Sequence, residues 1–195
     1  MDAVQLQKEV TLIKEMIEKT RRATAESGHL LIYIGLFSAL ATTAIGLLEI
    51  FQQYQLIMPT IILMTIVNAL IGFLVATRKT NNNGAISYPK TIFWQTWMAC
   101  GLTTILIVFL FPNLGLYPVR AVPILAALLL GIAVFLTGTI FELRFIQLSS
   151  LVWWIAALLM SLIVSPYSFL IMVAAILIGW TLPGFILHRN YKQRS

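Results

Sequence analysis

The stretch that decides the fold runs from Lys14 to Gly46 and reads KEMIEKTRRATAESGHLLIYIGLFSALATTAIG. Its first part is charged and carries the basic pair Arg21-Arg22, and its second part, from His29 onward, is a long apolar run. An α-helix needs about 20 apolar residues to cross the hydrocarbon core of a bilayer. The junction therefore predicts that the chain enters a membrane at this point, from a side that carries basic residues.

The composition favours the membrane class along the whole chain. Of the 195 residues, 59% are hydrophobic and 10% are charged, whereas soluble domains carry about 25% charged residues. The net charge of +6 does not indicate nucleic acid as a partner, because the basic residues lie at the ends of apolar runs, where membrane topology explains them. We expect the lipid bilayer as the main partner and no nucleic acid.

Six stretches meet or approach the length of a membrane span. The predicted fold is therefore all-α: a polytopic six-helix bundle over residues 28–195, preceded by an amphipathic helix within residues 1–27. The predicted spans are 29–51, 56–77, 91–111, 118–141, 145–164 and 168–187. We expect the first span to act as its own insertion signal, because the first 28 residues are polar and charged and do not resemble a cleavable signal peptide.

The basic residues predict the orientation. Every lysine and arginine except Arg120 falls on one side if the N-terminus, the loops at 78–90 and 142–145 and the C-terminus share that side. Loops rich in Lys and Arg stay in the cytoplasm, so we expect both termini there and the protein in the cell membrane, the inner membrane of a bacterium. Aromatic residues near the span ends predict interfacial belts: Trp94, Trp97, Tyr117, Trp153, Trp154, Tyr167 and Trp180.

Residues 3–27 are predicted to form one amphipathic helix. Its apolar residues recur at spacings of four, three and four and therefore share one face: Leu6, Val10, Ile13 and Ile17. Two heptads are short for a coiled coil, which leaves two interpretations. The helix lies on the cytoplasmic membrane face or under the bundle, or its apolar face docks a protein partner or a second copy of the chain.

The segment from Ile13 to Gly28 resembles the opening of a group of small bacterial multi-span membrane proteins. Those proteins place a pattern close to I-K-x-M-[MI]-E-[KR]-[ST]-x-R-x-x-x-x-S-G before their first span, and IKEMIEKTRRATAESG matches it here. Pro183-Gly184 is similar to their C-terminal part. The group has no assigned activity, so the resemblance implies an architecture and no catalytic residues.

Asn68 is the strongly polar side chain near the centre of the second span. An unsatisfied polar group in hydrocarbon costs several kcal/mol, so the amide needs a partner. Two interpretations are open. The amide contacts a ligand in a pocket of the bundle, or it forms an interhelical hydrogen bond, which is typically worth about 0.6–2 kcal/mol.

His29 and His188 lie at the cytoplasmic ends of the first and last predicted spans. If these spans are neighbours, the two rings could sense pH or bind a metal or haem. Two histidines with no nearby acid or cysteine form a weak metal site, so interfacial histidines are the alternative. We expect no metal and no cofactor. In the same last span, the segment Gly179–Gly184 contains Pro183 and predicts a kink.

The sequence carries no enzyme signature: it has no HExxH, no GxSxG and no paired acids within a span. We therefore expect a protein that is not an enzyme. Two functions remain: a membrane regulator or scaffold that acts through its N-terminal helix, or a small-molecule transporter or substrate-capture subunit with a pocket near Asn68. A coupled transporter usually carries ionisable groups at membrane depth, and no predicted span has one near its centre. This favours the regulator or scaffold.

Overall fold

The computed structural model describes residue 11 and residues 31–80, 88–163 and 167–192. Of these residues 91% are helical and none is in a strand. The described part contains six helices that are long and apolar enough to cross a membrane, so the prediction of an all-α chain with six such helices is confirmed. The docking face predicted on the N-terminal helix lies outside the described residues and stays a prediction: Leu6, Val10, Ile13 and Ile17.

We label the six helices α1 to α6 in chain order. The uninterrupted ones are α1 (Leu31–Ile50), α2 (Tyr54–Thr80) and α5 (Arg144–Leu162). Helix α3 covers residues 88–113 and consists of Tyr88–Ile105, a π-helical turn Leu106–Leu110 and a last turn Phe111–Asn113. Helix α4 covers Val119–Ile140 and opens with the 3-10 turn Val119–Ala121. Helix α6 covers residues 168–192 and consists of Ser168–Ile176, a π-helical turn Leu177–Thr181 and Leu182–Lys192.

Three of these helices end in the same backbone motif. At the end of α1 the N–H of Gln53 donates to the carbonyl of Leu48 at 2.8 Å, and the N–H of Gln52 donates to the carbonyl of Glu49 at 3.1 Å. This pair of bonds is the Schellman motif, which satisfies carbonyls that a helix end leaves free. The ends of α3 and α4 carry the same two bonds.

The motif places one residue in the left-handed backbone region, which a β-carbon disfavours. That residue is a glycine only after α3, where Gly115 has φ +70°. After α1 it is Gln52, with φ 58°, and after α4 it is Glu142, with φ 55°. Two of the three turns therefore hold a side chain where glycine would fit more easily.

Helices α1 and α6 are antiparallel neighbours. A β-carbon added to Gly35, near the start of α1, would overlap the hydroxyl of Thr181 in the second half of α6. One added to Gly46, near the end of α1, would overlap the ring of Phe169 at the start of α6. The first and last helices are therefore in close contact at two levels.

Glycines also bring α4, α5 and α6 together. A β-carbon on Gly138 of α4 would lie 2.5 Å from the backbone nitrogen of Gln147 in α5, and one on Gly131 would overlap Trp154. One on Gly179 of α6 would overlap Trp153 of α5. Small residues of this kind let helix backbones approach closely. Alanine supplies five of the eleven residues of the buried core, which comprises Ala39, Ala127, Val134, Ile146, Trp153, Ala156, Ala157, Met160, Ala175, Ile176 and Leu187.

Helix α2 lies on the outside of this arrangement. None of the residues in its apolar stretch Tyr54–Ile71 is buried, and within the described residues it makes no extensive contact with α3 to α6. Its hydrogen bond from Asn68 reaches Ser38 of α1. The bundle proper therefore consists of α1 and α3 to α6, with α2 attached beside α1.

Candidate functional site

Asn68 joins α2 to α1. Its Nδ2 donates a hydrogen bond to the Oγ of Ser38 at 3.3 Å, and Ser38 is buried. The other half of the amide, Oδ1, is also buried but accepts no hydrogen bond from a described residue. The side chain thus forms an interhelical bond and still holds an unused acceptor, so the structure leaves both interpretations of Asn68 open.

A second buried polar atom lies one helical turn away along α1. Gly35 precedes Ser38 by three residues, and its missing side chain makes room for the hydroxyl of Thr181 from α6. Thr181 is 7% exposed, and its Oγ1 has no hydrogen-bond partner within the described part of the chain. Two polar atoms with unused hydrogen-bonding capacity, one from α2 and one from α6, therefore lie against the face of α1 that carries Gly35 and Ser38.

Three tryptophans from three helices continue this polar region into the bundle. Trp180 of α6 lies with its ring centroid 5.3 Å from that of Trp153 in α5 and 6.1 Å from that of Trp97 in α3. Trp97 donates through Nε1 to the Oγ1 of Thr137 in α4 at 3.2 Å. The Nε1 atoms of Trp153 and Trp180 are buried and donate to no described residue. We call these three residues the tryptophan cluster.

The cluster corrects one prediction from the sequence. Trp153 was predicted to belong to an interfacial belt, and this is wrong, because Trp153 is fully buried in the middle of α5. The physical reason is Gly179, which leaves space on α6 for the five-membered ring of this indole. The sequence shows a glycine in α6 against which a large side chain can pack. It does not show which side chain does so.

A small cavity lies beside the cluster, at the π-helical turn of α6. It has a volume of about 20 Å³ and is lined by Leu31, Trp97, Val134, Thr137, Ile146, Gly179, Trp180 and Pro183. A larger groove of about 460 Å³, open to the surroundings, runs between α1 and α2 at their linked ends. Its lining is almost entirely apolar: Ala44, Leu47, Leu48, Phe51, Leu56, Pro59, Thr60 and Leu63.

Helix α6 widens by one turn ahead of its proline. The π-helical turn Leu177–Thr181 directly precedes Leu182-Pro183, so the helix contains one wide turn before the proline. Helix α3 repeats the arrangement, with the π-helical turn Leu106–Leu110 ahead of Pro112. The kink that Pro183 predicts in α6 stays a prediction, and the structure shows a π-helical turn there. The π-helical turn in α3 is not among the features predicted from the sequence, although Pro112 is its signal.

The histidine pair stays a prediction. α1 and α6 are neighbours, which is the condition the pair requires, but His29 and the side chain of His188 lie outside what the structure describes. Within the described residues, no three His, Cys, Asp or Glu side chains come together where they could hold a metal ion. The two acids Glu49 and Glu142 are exposed at helix ends.

No protein-family model, curated protein or solved structure matches the chain. The candidate site is therefore defined by its own geometry: the Asn68–Ser38 bond, the Thr181 hydroxyl and the tryptophan cluster. The resemblance of residues 13–28 to small multi-span membrane proteins stays a prediction.

Proposed function

We propose that this protein is a non-enzymatic membrane regulator or scaffold that acts through its N-terminal helix. The observation that carries the proposal is the close contact of α1 with α6 at both Gly35 and Gly46. Helix α1 is the span that follows the N-terminal segment, and two glycine contacts fix it to the last helix. In this proposal α1 anchors the docking element to the bundle. The docking face consists of Leu6, Val10, Ile13 and Ile17.

The test is a crosslinking pull-down from native membranes. Deletion of residues 1–20 should leave insertion intact and remove the crosslinked partner, whether that partner is another protein or a second copy of the chain. Replacing the docking face by alanine should do the same. The matched control replaces Thr11, Glu15 and Lys19, which helical periodicity places on the opposite face of the helix. The net charge stays the same, because one acid and one base are removed together. If the docking-face variant keeps its partner, the proposal fails.

We further propose that the six helices cross the membrane with both termini in the cytoplasm. The support is the charge asymmetry, since Lys and Arg favour the cytoplasmic side. The test introduces single cysteines at Gln53, Asn82 and Tyr167 in a Cys100→Ala background. A membrane-impermeant thiol reagent should label the cysteines at 53 and 167 in intact cells, and the one at 82 only after permeabilisation. The opposite pattern would reverse the orientation.

A second candidate function, a small-molecule transporter or substrate-capture subunit, is favoured by one observation. The Oδ1 of Asn68 is buried without a described partner, so it is available to a ligand that donates a hydrogen bond. Native mass spectrometry of the protein extracted from its own membrane tests this candidate. A retained small molecule that is lost in Asn68→Leu but kept in Thr65→Val, an exposed position of α2, would support it. A partner lost on deletion of residues 1–20, with no retained small molecule, would support the regulator.

A further inference from the structure

We propose that the π-helical turn of α6 is one state of a conformational switch, and that it interconverts with a regular α-helical turn kinked at Pro183. The switch does not depend on the proposed function. Three observations support it. The hydroxyl of Thr181 is unpaired in the described state, the equivalent turn of α3 has a donor for its freed carbonyl, and α1 contacts both halves of α6.

Thr181 lacks the hydrogen bond that other helical threonines of the chain make. The part-buried hydroxyls of Thr104 and Thr137 each donate to the carbonyl four residues earlier at 2.8 Å. For Thr181 that carbonyl belongs to Leu177, which accepts instead from the backbone N–H of Leu182 in the π-helical turn. The Thr181 hydroxyl is buried with no partner among the described residues. A regular α-helical turn would bring the Leu177 carbonyl back within its reach.

The π-helical turn of α3 shows the paired form of the same arrangement. In a π-helix each backbone N–H bonds to the carbonyl five residues earlier, and proline has no N–H, so Pro112 leaves the carbonyl of Ile107 without its donor. The hydroxyl of Tyr117 replaces that donor and bonds to the Ile107 carbonyl at 2.6 Å. The equivalent carbonyl in α6 is that of Ile178, and no side chain in the described part of the chain donates to it. The turn of α3 is therefore held in place, whereas the turn of α6 has no such bond.

The two states of α6 leave different groups unsatisfied. The π-helical turn moves the carbonyl of Gly179 away from the ring of Pro183, with which it collides in a straight α-helix, but the buried Thr181 hydroxyl stays unpaired. The α-helical turn pairs that hydroxyl with Leu177 and relieves the collision by a kink, the usual response of a helix to an internal proline. Because neither state satisfies every group, we expect the two to be close enough in free energy for both to be populated.

The interconversion couples α6 to α1. Each residue of an α-helix contributes a rotation of about 100°, so removing the extra residue from the turn rotates one half of α6 relative to the other by about that angle. Helix α1 contacts both halves, because Gly46 lies against Phe169 in the first half and Gly35 lies against Thr181 at the end of the turn. A helix that packs on both halves cannot keep both contacts when one half rotates. The switch therefore changes the packing of α1.

The first test is fluorine nuclear magnetic resonance on the full chain in lipid nanodiscs, with fluorotryptophan in place of tryptophan. Trp180 lies within the turn, and its ring centroid is 5.3 Å from that of Trp153, so its signal, identified by its loss in Trp180→Phe, reports the state of the turn. We expect two Trp180 signals, or one signal that shows exchange in relaxation-dispersion measurements. Trp94 of α3 lies outside both π-helical turns and should give a single signal without exchange. A single Trp180 signal without exchange would overturn the proposal.

The second test removes the hydroxyl and keeps the shape of the side chain. Thr181→Val takes away the bond that only the α-helical state makes, so the population of that state relative to the π-helical state should fall by about 2- to 12-fold. Thr104→Val removes an equivalent bond in α3 and is the matched control, which should leave the Trp180 ratio unchanged. Pro183→Ala removes the collision that the π-helical turn relieves, so the exchange at Trp180 should disappear. If Thr181→Val and Thr104→Val affect the ratio equally, the proposal fails.

The third test measures the coupling to α1. A β-carbon added to Gly35 or to Gly46 would overlap a side chain of α6, and the switch removes one of these two contacts. Alanine at that contact penalises the π-helical state alone and should raise the fraction of the α-helical state, whereas alanine at the other contact should leave the ratio unchanged. Gly101→Ala, whose β-carbon would meet no atom within 4 Å, is the control. Equal Trp180 ratios in all three variants would contradict the coupling.

Discussion

Replacing Gly179 by alanine should destabilise the bundle. The added β-carbon would overlap Nε1 of Trp153 and lie 2.9 Å from its Cε2 and 3.2 Å from its Cδ1. Trp153 is fully buried, so its ring has no free space to move into. Overpacking of a well-packed core costs about 1–3 kcal/mol, and the higher helix propensity of alanine returns about 1 kcal/mol at most. We expect a net loss of up to about 2 kcal/mol in the free energy of unfolding.

Gly101→Ala is the matched control. The same β-carbon on Gly101 of α3 would meet no atom within 4 Å, so only the helix propensity acts, and the substitution should stabilise by up to about 1 kcal/mol. The assay is reversible unfolding in mixed micelles with increasing sodium dodecyl sulfate, followed by far-ultraviolet circular dichroism. The two glycine substitutions should therefore change the free energy of unfolding in opposite directions.

Trp153→Phe should relieve the effect of Gly179→Ala. The three atoms near the added β-carbon, Nε1, Cε2 and Cδ1, all belong to the five-membered ring that phenylalanine lacks. In a double-mutant cycle the pair should show a favourable coupling energy of about 0.5–3 kcal/mol, the range for residues in contact. If Gly179→Ala and Gly101→Ala act alike, and no coupling to Trp153 is found, the contact between α5 and α6 described here is refuted.

Two further substitution series test the helix ends and the link between α1 and α2. Gln52→Gly and Glu142→Gly should each stabilise by about 0.5–1 kcal/mol, because both positions have positive φ; Gly115→Ala should destabilise, measured by the same unfolding assay. Asn68→Leu should destabilise the protein by about 0.6–1.7 kcal/mol through loss of its bond to Ser38. Adding Ser38→Ala to Asn68→Leu should cost little more. Fully additive effects of the two substitutions would contradict the bond.

The six helices could be predicted because span length and charge are local properties of the sequence. The π-helical turns are local as well. Each π-helical turn ends two residues before a proline, at Leu110 before Pro112 and at Thr181 before Pro183. A proline ring collides with the carbonyl four residues earlier, and an extra residue in the turn moves that carbonyl aside, as in a π-bulge. The same rule applied to Pro112 predicts the π-helical turn of α3.

The polar interior could not be predicted, because it depends on contacts between distant residues. Trp153 packs against Gly179, and Thr181 against Gly35, and no periodicity along one helix pairs such positions. The sequence did identify Asn68 as a group that needs a partner, but the partner, Ser38, lies on another helix. Which polar side chains meet is decided by helix packing order, which a single sequence does not contain.

The contact between α1 and α6 has a consequence for the way the chain is made. Phe169, which packs on Gly46, follows it by about 120 residues, and synthesis at about 5–20 residues per second separates the two by roughly 6–25 s. During that interval α1 has α2 beside it, while the helices α4 and α5, joined by a turn of three residues at 141–143, can pair at once. The contact between α1 and α6 therefore forms only after the ribosome has synthesised α6.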